Sequence, residues 1–314
     1  MVNIYNLYIT RNKLELEYFH RLVHFLSFVN LNDTVVQLVH LNFKSNDIVP
    51  NIKLNNTKMR ADVYNFGSDV KMVSVIIYNL DDLIKLYKPL SGVNVFIYTG
   101  HSDGVYLIKQ KVRLLRIEDF CELVYRVSKK ADLMIFDCCL CANISCLYIC
   151  YPFTKYLMAA TSYQSYLSVL ETHNLYKFKG DIVSYTKIVI KEFGNLEKID
   201  NKAYDSDFSL YQMNEYLLEF IQLVLKYKDQ FDENKSFVID SAKYKDLECC
   251  FSDLGIDIKP LINKFVIVNR YHKLKCANRK LSKKKDYSIP SSLMIILKRP
   301  VKYSLQTRGD IFLK

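Results

Sequence analysis

The chain has 314 residues, of which 50% are hydrophobic and 25% charged, so it is long and apolar enough to bury a sizeable core. This composition excludes a chain that is disordered throughout, and no apolar run reaches the roughly 18 residues expected of a membrane-spanning helix. The net charge of +11 arises in residues 264–314, which hold 14 Lys and Arg against two Asp. A nearly neutral body therefore carries a basic C-terminal tail.

In chain order, the first apolar patterns predict a strand over residues 2–10, a helix over 14–29 and a strand over 34–41. Residues 42–70 are polar and rich in Asn, which predicts a loop before a segment at 73–87. Further strands are predicted over 93–99, 132–137, 156–161 and 265–268, and further helices over 117–127, 181–193 and 210–227. Strands that alternate with helices favour an α/β fold around a mostly parallel sheet.

Two apolar segments end abruptly in reactive side chains. VNVFIYTGHSDG at 93–104 contains His101, and ADLMIFDCCLCAN at 131–143 contains Cys138 and Cys139. Parallel strands present their carboxyl ends at one edge of a sheet, so we expect these side chains to share a groove. A cysteine that attacks a carbonyl needs an imidazole to take its proton and backbone amides to hold the oxyanion. We expect those amides at Ser102 and Cys139; the alternative is a structural histidine among apolar, buried cysteines.

The residues at both strand ends resemble a known family. Tyr98, Thr99, Gly100, His101 and Ser102 match a strand that ends in Tyr-Leu-Thr-Gly-His-Gly-Gly, and Asp137 to Cys141 match Asp-Thr-Cys-Gln-Ala. The chain is thus similar to the caspase-like cysteine peptidases, and within them to the legumain-related catalytic subunits of the glycosylphosphatidylinositol (GPI) transamidase. Asp62, Val63 and Tyr64, with Ser68 and Asp69, resemble a further segment of that family. In this register Cys139, and not Cys138, is the nucleophile.

The resemblance implies a caspase-like three-layer α/β sandwich with a C-terminal extension. It covers residues 1–193, which would be the catalytic domain. The apolar pattern predicts a helical continuation at 194–263, and the charge defines the basic tail at 264–314. His101 and Cys139 would be the catalytic dyad, and Asp137, Thr161 and Ser162 would line the substrate pocket. No metal or other cofactor is implied.

The function that the resemblance implies is transamidation. Cys139 would cleave a C-terminal signal from a precursor protein and pass the new carboxyl end, through a thioester, to the ethanolamine amine of a GPI lipid. Such an enzyme would work in the lumen of the endoplasmic reticulum, held at the membrane by the other transamidase subunits, although the N-terminal sequence does not resemble a signal peptide. The alternatives are a caspase-like or legumain-like endopeptidase, and a non-catalytic scaffold in which Ser102 and Leu140 depart from the family pattern.

Three other features have simpler interpretations. Cys138, Cys141, Cys146 and Cys150 surround the nucleophile, and we expect core packing rather than a metal site. His20 and His24 are one helical turn apart but have no acidic partner in sequence. The basic tail is compatible with nucleic acid or anionic lipid, yet no nucleic-acid fold motif accompanies it, so we expect a solvated segment that binds no nucleic acid.

Overall fold

The structure, a computed structural model, describes most of the chain. The described residues are 1–29, 31, 33–42, 59–66, 71–104, 106–110, 113–160, 181–196, 208–232, 237–239, 242–269, 273–274, 287–288 and 294–298.

Nine of the described strands form one central sheet. In chain order, the sixteen strands are β1 (Val2–Thr10), β2 (Thr34–Asn42), β3 (Met59–Phe66), β4 (Lys71–Ile77), β5 (Val93–Thr99), β6 (Tyr106–Gln110), β7 (Arg113–Arg116), β8 (Ala131–Asp137), β9 (Thr154–Ala160), β10 (Phe208–Gln212), β11 (Phe237–Ile239), β12 (Ala242–Asp246), β13 (Val266–Asn269), β14 (Lys273–Leu274), β15 (Tyr287–Ser288) and β16 (Met294–Lys298). The central sheet has the order β13-β10-β9-β8-β5-β1-β2-β3-β4. Strands β10 and β13 join this sheet although they lie beyond residue 193. The other described strands form small separate sheets, β11-β12-β16, β14-β15 and β6-β7.

The middle of the central sheet is parallel and its two edges are antiparallel. The parallel pairs join β9, β8, β5, β1 and β2, whereas β3 and β4 at one edge and β10 and β13 at the other run antiparallel to their neighbours. Parallel strands need crossover connections, and these run through the helices on the two faces of the sheet. The predicted α/β fold with a mostly parallel sheet is confirmed.

Helices cover both faces of the sheet. The eight described helices are α1 (Lys13–Phe28), α2 (Leu80–Ile84), α3 (Ile117–Ser128), α4 (Ile144–Cys150), α5 (Ile182–Leu196), α6 (Glu215–Tyr227), α7 (Leu247–Asp253) and α8 (Lys259–Ile262). Side chains of α1 and α5 pack into one apolar cluster, and those of the other helices pack into a second cluster across the sheet. Strand β1 serves both clusters, because Tyr5 and Leu7 point to one and Ile4 and Tyr8 to the other. The result is a three-layer sandwich.

Two of the sequence predictions were wrong. The loop expected over 42–70 contains β3, in which buried Met59, Ala61 and Val63 alternate with polar residues that face outward. The polar composition therefore concealed a strand in which buried and outward-facing residues alternate with period two. The single helix expected over 210–227 is a strand followed by a helix, because Asn214 accepts a hydrogen bond from the Leu217 amide and starts α6 there.

No helix in the described ranges is both long and apolar enough to cross a membrane.

Candidate active site

The two strands that carry the predicted dyad are direct neighbours in the sheet. Strands β5 and β8 pair in parallel, with Thr99 opposite Asp137. His101 and Cys139 each follow two residues after that pair, so both lie at the same edge and at the same level along the strands. The Gly100 amide donates to the carbonyl of Asp137 at 3.3 Å, which extends the pairing one step beyond the strands. This register positions the imidazole and the thiol on adjoining turns, as the sequence predicted.

Hydrogen bonds join these two turns, which we call the histidine turn (101–104) and the cysteine turn (138–143). Asn143 Nδ2 donates to the carbonyl oxygens of Gly104 and Leu140, both at 2.8 Å. The Sγ of Cys141 and the Oγ of Ser102 are hydrogen-bonded at 3.3 Å. Asn143 is fully buried, and its Oδ1 also accepts from the Cys146 amide at the start of α4. A buried amide with its donors and acceptor satisfied holds the two turns together.

Gly104 allows this close approach. Its φ is +85°, a conformation that L-residues with a side chain rarely adopt, and a Cβ there would lie 2.8 Å from the Leu140 carbonyl oxygen. Leu140 itself has φ +64°. Both residues therefore have left-handed backbone conformations at the point where the turns meet.

The two adjacent cysteines differ in exposure. Cys138 is fully buried, whereas Cys139 is partly exposed. A substrate carbonyl can reach only a sulfur that solvent can reach, so exposure favours Cys139 as the nucleophile. The alignment of residues 137–141 with the family motif also identifies Cys139 as the nucleophile.

The structure adds a carboxylate that the sequence reasoning missed. His101 Nε2 lies 2.7 Å from Glu15 Oε1, and the Glu15 side chain is 7% exposed. Burial alone would raise the pKa of Glu15, but the hydrogen bond and charge of His101, together with the Arg11 amide, hold that pKa below its usual range. An ionised carboxylate only accepts hydrogen bonds, so Nε2 carries the proton and Nδ1 is left as the basic nitrogen of the ring.

Glu15 is held in place by the start of α1. The N-cap Asn12 accepts a hydrogen bond from the Glu15 amide at 2.9 Å, and Glu15 Oε2 accepts from the Arg11 amide at 2.7 Å. The Asn12 side chain also donates to Glu15 Oε1. The spacing Asn12-x-x-Glu15 is a capping pattern that is visible in the sequence. It predicts a helix start, but the contact with a histidine 86 positions away depends on β1 and β5 being neighbours.

The predicted pocket residues have different outcomes. Asp137 is 5% exposed at the end of β8, and its Oδ2 accepts from Thr99 Oγ1 at 3.4 Å. Thr99 Oγ1 in turn accepts from Asn6 Nδ2 at 3.3 Å. Asp137 therefore belongs to a buried polar group that connects the ends of β8 and β5 to the middle of β1. Thr161 and Ser162 lie outside the described residues, as do Ser68 and Asp69, while Asp62 lies in β3 and accepts from Arg60 Nε at 2.9 Å.

Five buried cysteines form a continuous row behind the candidate nucleophile. Hydrogen bonds connect Cys138 to Cys141, Cys141 to Cys146, Cys146 to Cys150 and Cys150 to Cys121. The two Sγ atoms are 3.4 Å apart in Cys138 and Cys141 and 3.7 Å apart in Cys121 and Cys150. Within the described part of the chain, no three His, Cys, Asp or Glu side chains are grouped as ligands of a metal ion.

The chain matches no family model and no curated protein sequence. It does match solved structures. A secreted C11 cysteine protease from Bacteroides thetaiotaomicron superposes with a TM-score of 0.65 at 11% identity, over 94% of this chain and 93% of that one. A structure of a secreted C11 cysteine protease from the same organism in complex with an irreversible peptide inhibitor gives 0.63 at 13% identity, over 96% and 94%. An inactive zymogen C11 protease from Parabacteroides distasonis gives 0.60 at 12% identity, over 99% and 93%. At this level of identity the likeness establishes the fold, which is the caspase-like α/β sandwich of C11 cysteine proteases.

Proposed function

We propose that the chain is a cysteine endopeptidase in which Cys139 is the nucleophile and His101 its base. One observation carries the proposal: the two residues follow paired positions on adjacent parallel strands, at one edge of the sheet, with a buried carboxylate on the imidazole. Glu15 orients the ring and fixes its tautomer, so it is a positioning residue.

The reaction follows from these positions. Nδ1 of His101 takes the proton of the Cys139 thiol, and the thiolate attacks the carbonyl carbon of a peptide bond. The negative charge of Glu15 stabilises the imidazolium that forms, which then protonates the leaving amine. A thioester remains on Cys139, and water hydrolyses it to the free acid with His101 acting again as base.

The remaining site residues have proposed roles around this centre. The backbone N–H groups of Ser102 and Cys139, one on each turn, would donate to the oxyanion of the tetrahedral intermediate. Asp137 would place a carboxylate beneath the cysteine turn, and Thr161 and Ser162 would contact the side chain of the substrate. Binding of an irreversible peptide inhibitor by a C11 protease of this fold supports a peptide substrate.

A second candidate is the transamidase reaction. The matches of residues 98–102 and 137–141 to the GPI transamidase motifs favour it, because both enzymes form the same thioester and differ only in the acceptor. In that case the chain would work with partner subunits at the endoplasmic reticulum membrane, and the amine of a GPI lipid would replace water. Excluding water from the groove would decide between the two outcomes.

A panel of fluorogenic peptides that vary at the residue before the scissile bond tests the proposal. We expect wild-type turnover, none in Cys139→Ala, and a loss of about a thousandfold in His101→Ala, the range of a general base. Cys138→Ala is the matched control, because it removes the adjacent thiol that is buried, and it should still cleave.

Adding hydroxylamine as an acceptor amine separates the two candidate functions. A free acid as the main product supports hydrolysis, whereas a hydroxamate as the main product supports transamidation. Two results together overturn the proposal: the wild type cleaves no peptide, and iodoacetamide alkylates Cys139 at the same rate in the wild type and in His101→Ala. That result would leave a non-catalytic scaffold.

A further inference from the structure

The cysteine turn contains a second pair of thiols that the proposed reaction does not use. Cys138 and Cys141 flank the candidate nucleophile in the order Cys-Cys-Leu-Cys, and their sulfurs lie 3.4 Å apart. In a tight turn of four residues, the Cα atoms of the first and fourth residues lie within about 7 Å of each other. This distance overlaps the Cα–Cα range of disulfides, and Cys138 and Cys141 are the first and fourth residues of such a segment. A bond between the two sulfurs, about 2.05 Å long, requires them to approach by only about 1.4 Å.

We propose that Cys138 and Cys141 form a reversible disulfide that encloses Cys139 in a four-residue ring and loosens the contact between the cysteine turn and the histidine turn. Cys141 is the sulfur that connects the turns, through its hydrogen bond to Ser102 Oγ. When Cys141 moves towards Cys138, that 3.3 Å contact opens. Ser102 directly follows His101, so the change reaches the candidate base.

The two thiols are chemically unequal, as an attacking and a resolving cysteine should be. Burial alone would raise the pKa of Cys141, but its hydrogen bonds with Cys138, Cys146 and Ser102 hold that pKa well below its usual range. Burial and the hydrogen bond to Cys141 raise the pKa of Cys138 well above its usual range. The two directions favour loss of the proton from Cys141 over loss from Cys138, and the thiolate is the form that reacts with an oxidant.

Hydrogen peroxide supplies the oxidising equivalents, and the step balances. The Cys141 thiolate attacks one peroxide oxygen, and hydroxide leaves, which gives a sulfenic acid on Cys141. The sulfur of Cys138 then attacks the sulfenic sulfur, and the S–S bond replaces the S–O bond. The leaving oxygen takes up the proton of the Cys138 thiol, so one thiolate, one thiol and one peroxide give one disulfide, one water and one hydroxide. Cys141 is buried, but its hydrogen-bond partner Ser102 is partly exposed, so the sulfur lies one side chain away from solvent.

The chemistry is tested on the full chain with Cys139→Ala, in which the exposed thiol cannot interfere. After treatment with hydrogen peroxide we expect an intact mass lower by two hydrogens, a link between Cys138 and Cys141 in tandem mass spectra, and reversal by a phosphine reductant. The Gly104 amide, which donates to Ser102 Oγ at 2.9 Å, should exchange its hydrogen about fivefold faster in the oxidised chain, because about 1 kcal/mol of local stabilisation is lost.

Two further variants in the Cys139→Ala background serve as controls. Cys138→Ala should abolish both the mass loss and the change in exchange, whereas Cys121→Ala, which removes a thiol of the other close pair, should preserve both. A disulfide mapped to Cys121 and Cys150, an unchanged mass, or an unchanged exchange rate at Gly104 overturns the proposal. If Cys138→Ala does not fold, the measurements on Cys139→Ala alone still decide.

An activity measurement adds the functional consequence and rests on the proposed peptidase function. In the wild type, iodoacetamide titration gives the amount of Cys139 that is still a free thiol, and the turnover rate is divided by this amount. This ratio should fall about fivefold on oxidation and recover on reduction. The same ratio should stay constant for Cys138→Ala. Failure of the peptidase proposal removes this arm but leaves the mass and exchange results unaffected, so the two failures are distinguishable.

Discussion

Replacing Glu15 with Gln removes the negative charge on the His101 ring and keeps the shape of the side chain. Glu15 has two carboxylate oxygens, of which Oε1 accepts from His101 Nε2 at 2.7 Å and Oε2 from the Arg11 amide at 2.7 Å. A glutamine offers one oxygen, so it can satisfy only one of these donors. If its amide group turns towards the ring, Nε2 must become the acceptor, and the proton moves to Nδ1, where it blocks the base.

The size of the effect follows from the burial of this pair. A hydrogen bond to a charged group is worth about 1.5–3 kcal/mol, and the 7% exposure of Glu15 leaves little solvent to screen it. A loss of about 2 kcal/mol in the transition state lowers kcat about 30-fold. The free energy of unfolding should fall by about 1 kcal/mol, the value of one neutral hydrogen bond.

Turnover of the best peptide from the panel and urea denaturation measure these two quantities. Asn79→Ala is the matched control, because it removes the side-chain cap of α2 far from the site and also costs about 1 kcal/mol of stability. It should keep the wild-type kcat. The reasoning is refuted if Glu15→Gln turns over like the wild type, or if its loss of kcat is no larger than that of Asn79→Ala.

Two further predictions concern buried groups. Burial lowers the pKa of His40 to about 4 in the folded chain, whereas the unfolded chain takes up this proton near pH 6.5. The free energy of unfolding should therefore fall by about 3 kcal/mol as the pH drops from about 6.5 to about 4. Urea denaturation across this range should show the decline in the wild type and a weaker one in His40→Gln, while exposed His24→Gln should behave like the wild type. Asn143→Asp keeps the acceptor that caps α4 but turns two donated hydrogen bonds into contacts between oxygens, so it should cost about 3 kcal/mol. An equal loss of stability in Asn143→Asp and the remote cap variant Asn79→Ala would contradict the role of Asn143 in joining the turns.

The sequence predicted the two strand ends because their signal is local. Each consists of buried apolar residues followed at once by reactive side chains, and neighbouring parallel strands bring such ends together whatever the intervening chain does. The amino-acid sequence alone was therefore enough to place His101 and Cys139 at one edge of the sheet. The strand at 265–268 was also predicted, and β13 lies at Val266–Asn269.

Other features could not be predicted because their signal is not local. Glu15 lies in the polar first turn of an amphipathic helix, where a glutamate ordinarily faces water, and only the pairing of β1 with β5 brings His101 to it. Strand β3 was missed because Arg60, Asp62 and Asn65 give it the composition of a loop. Its partners, β2 and β4, supply the pairing that composition cannot reveal.

The order of strands at the centre of the sheet has a consequence for how the chain matures. Glu15 follows β1, His101 follows β5 and Cys139 follows β8, and these three strands are consecutive neighbours in space although they are far apart along the chain. Closing such distant pairings is slow compared with forming helices and hairpins. A nascent or half-assembled chain thus has a thiol with no base beside it, so under the proposed peptidase function incomplete copies would not digest themselves or one another.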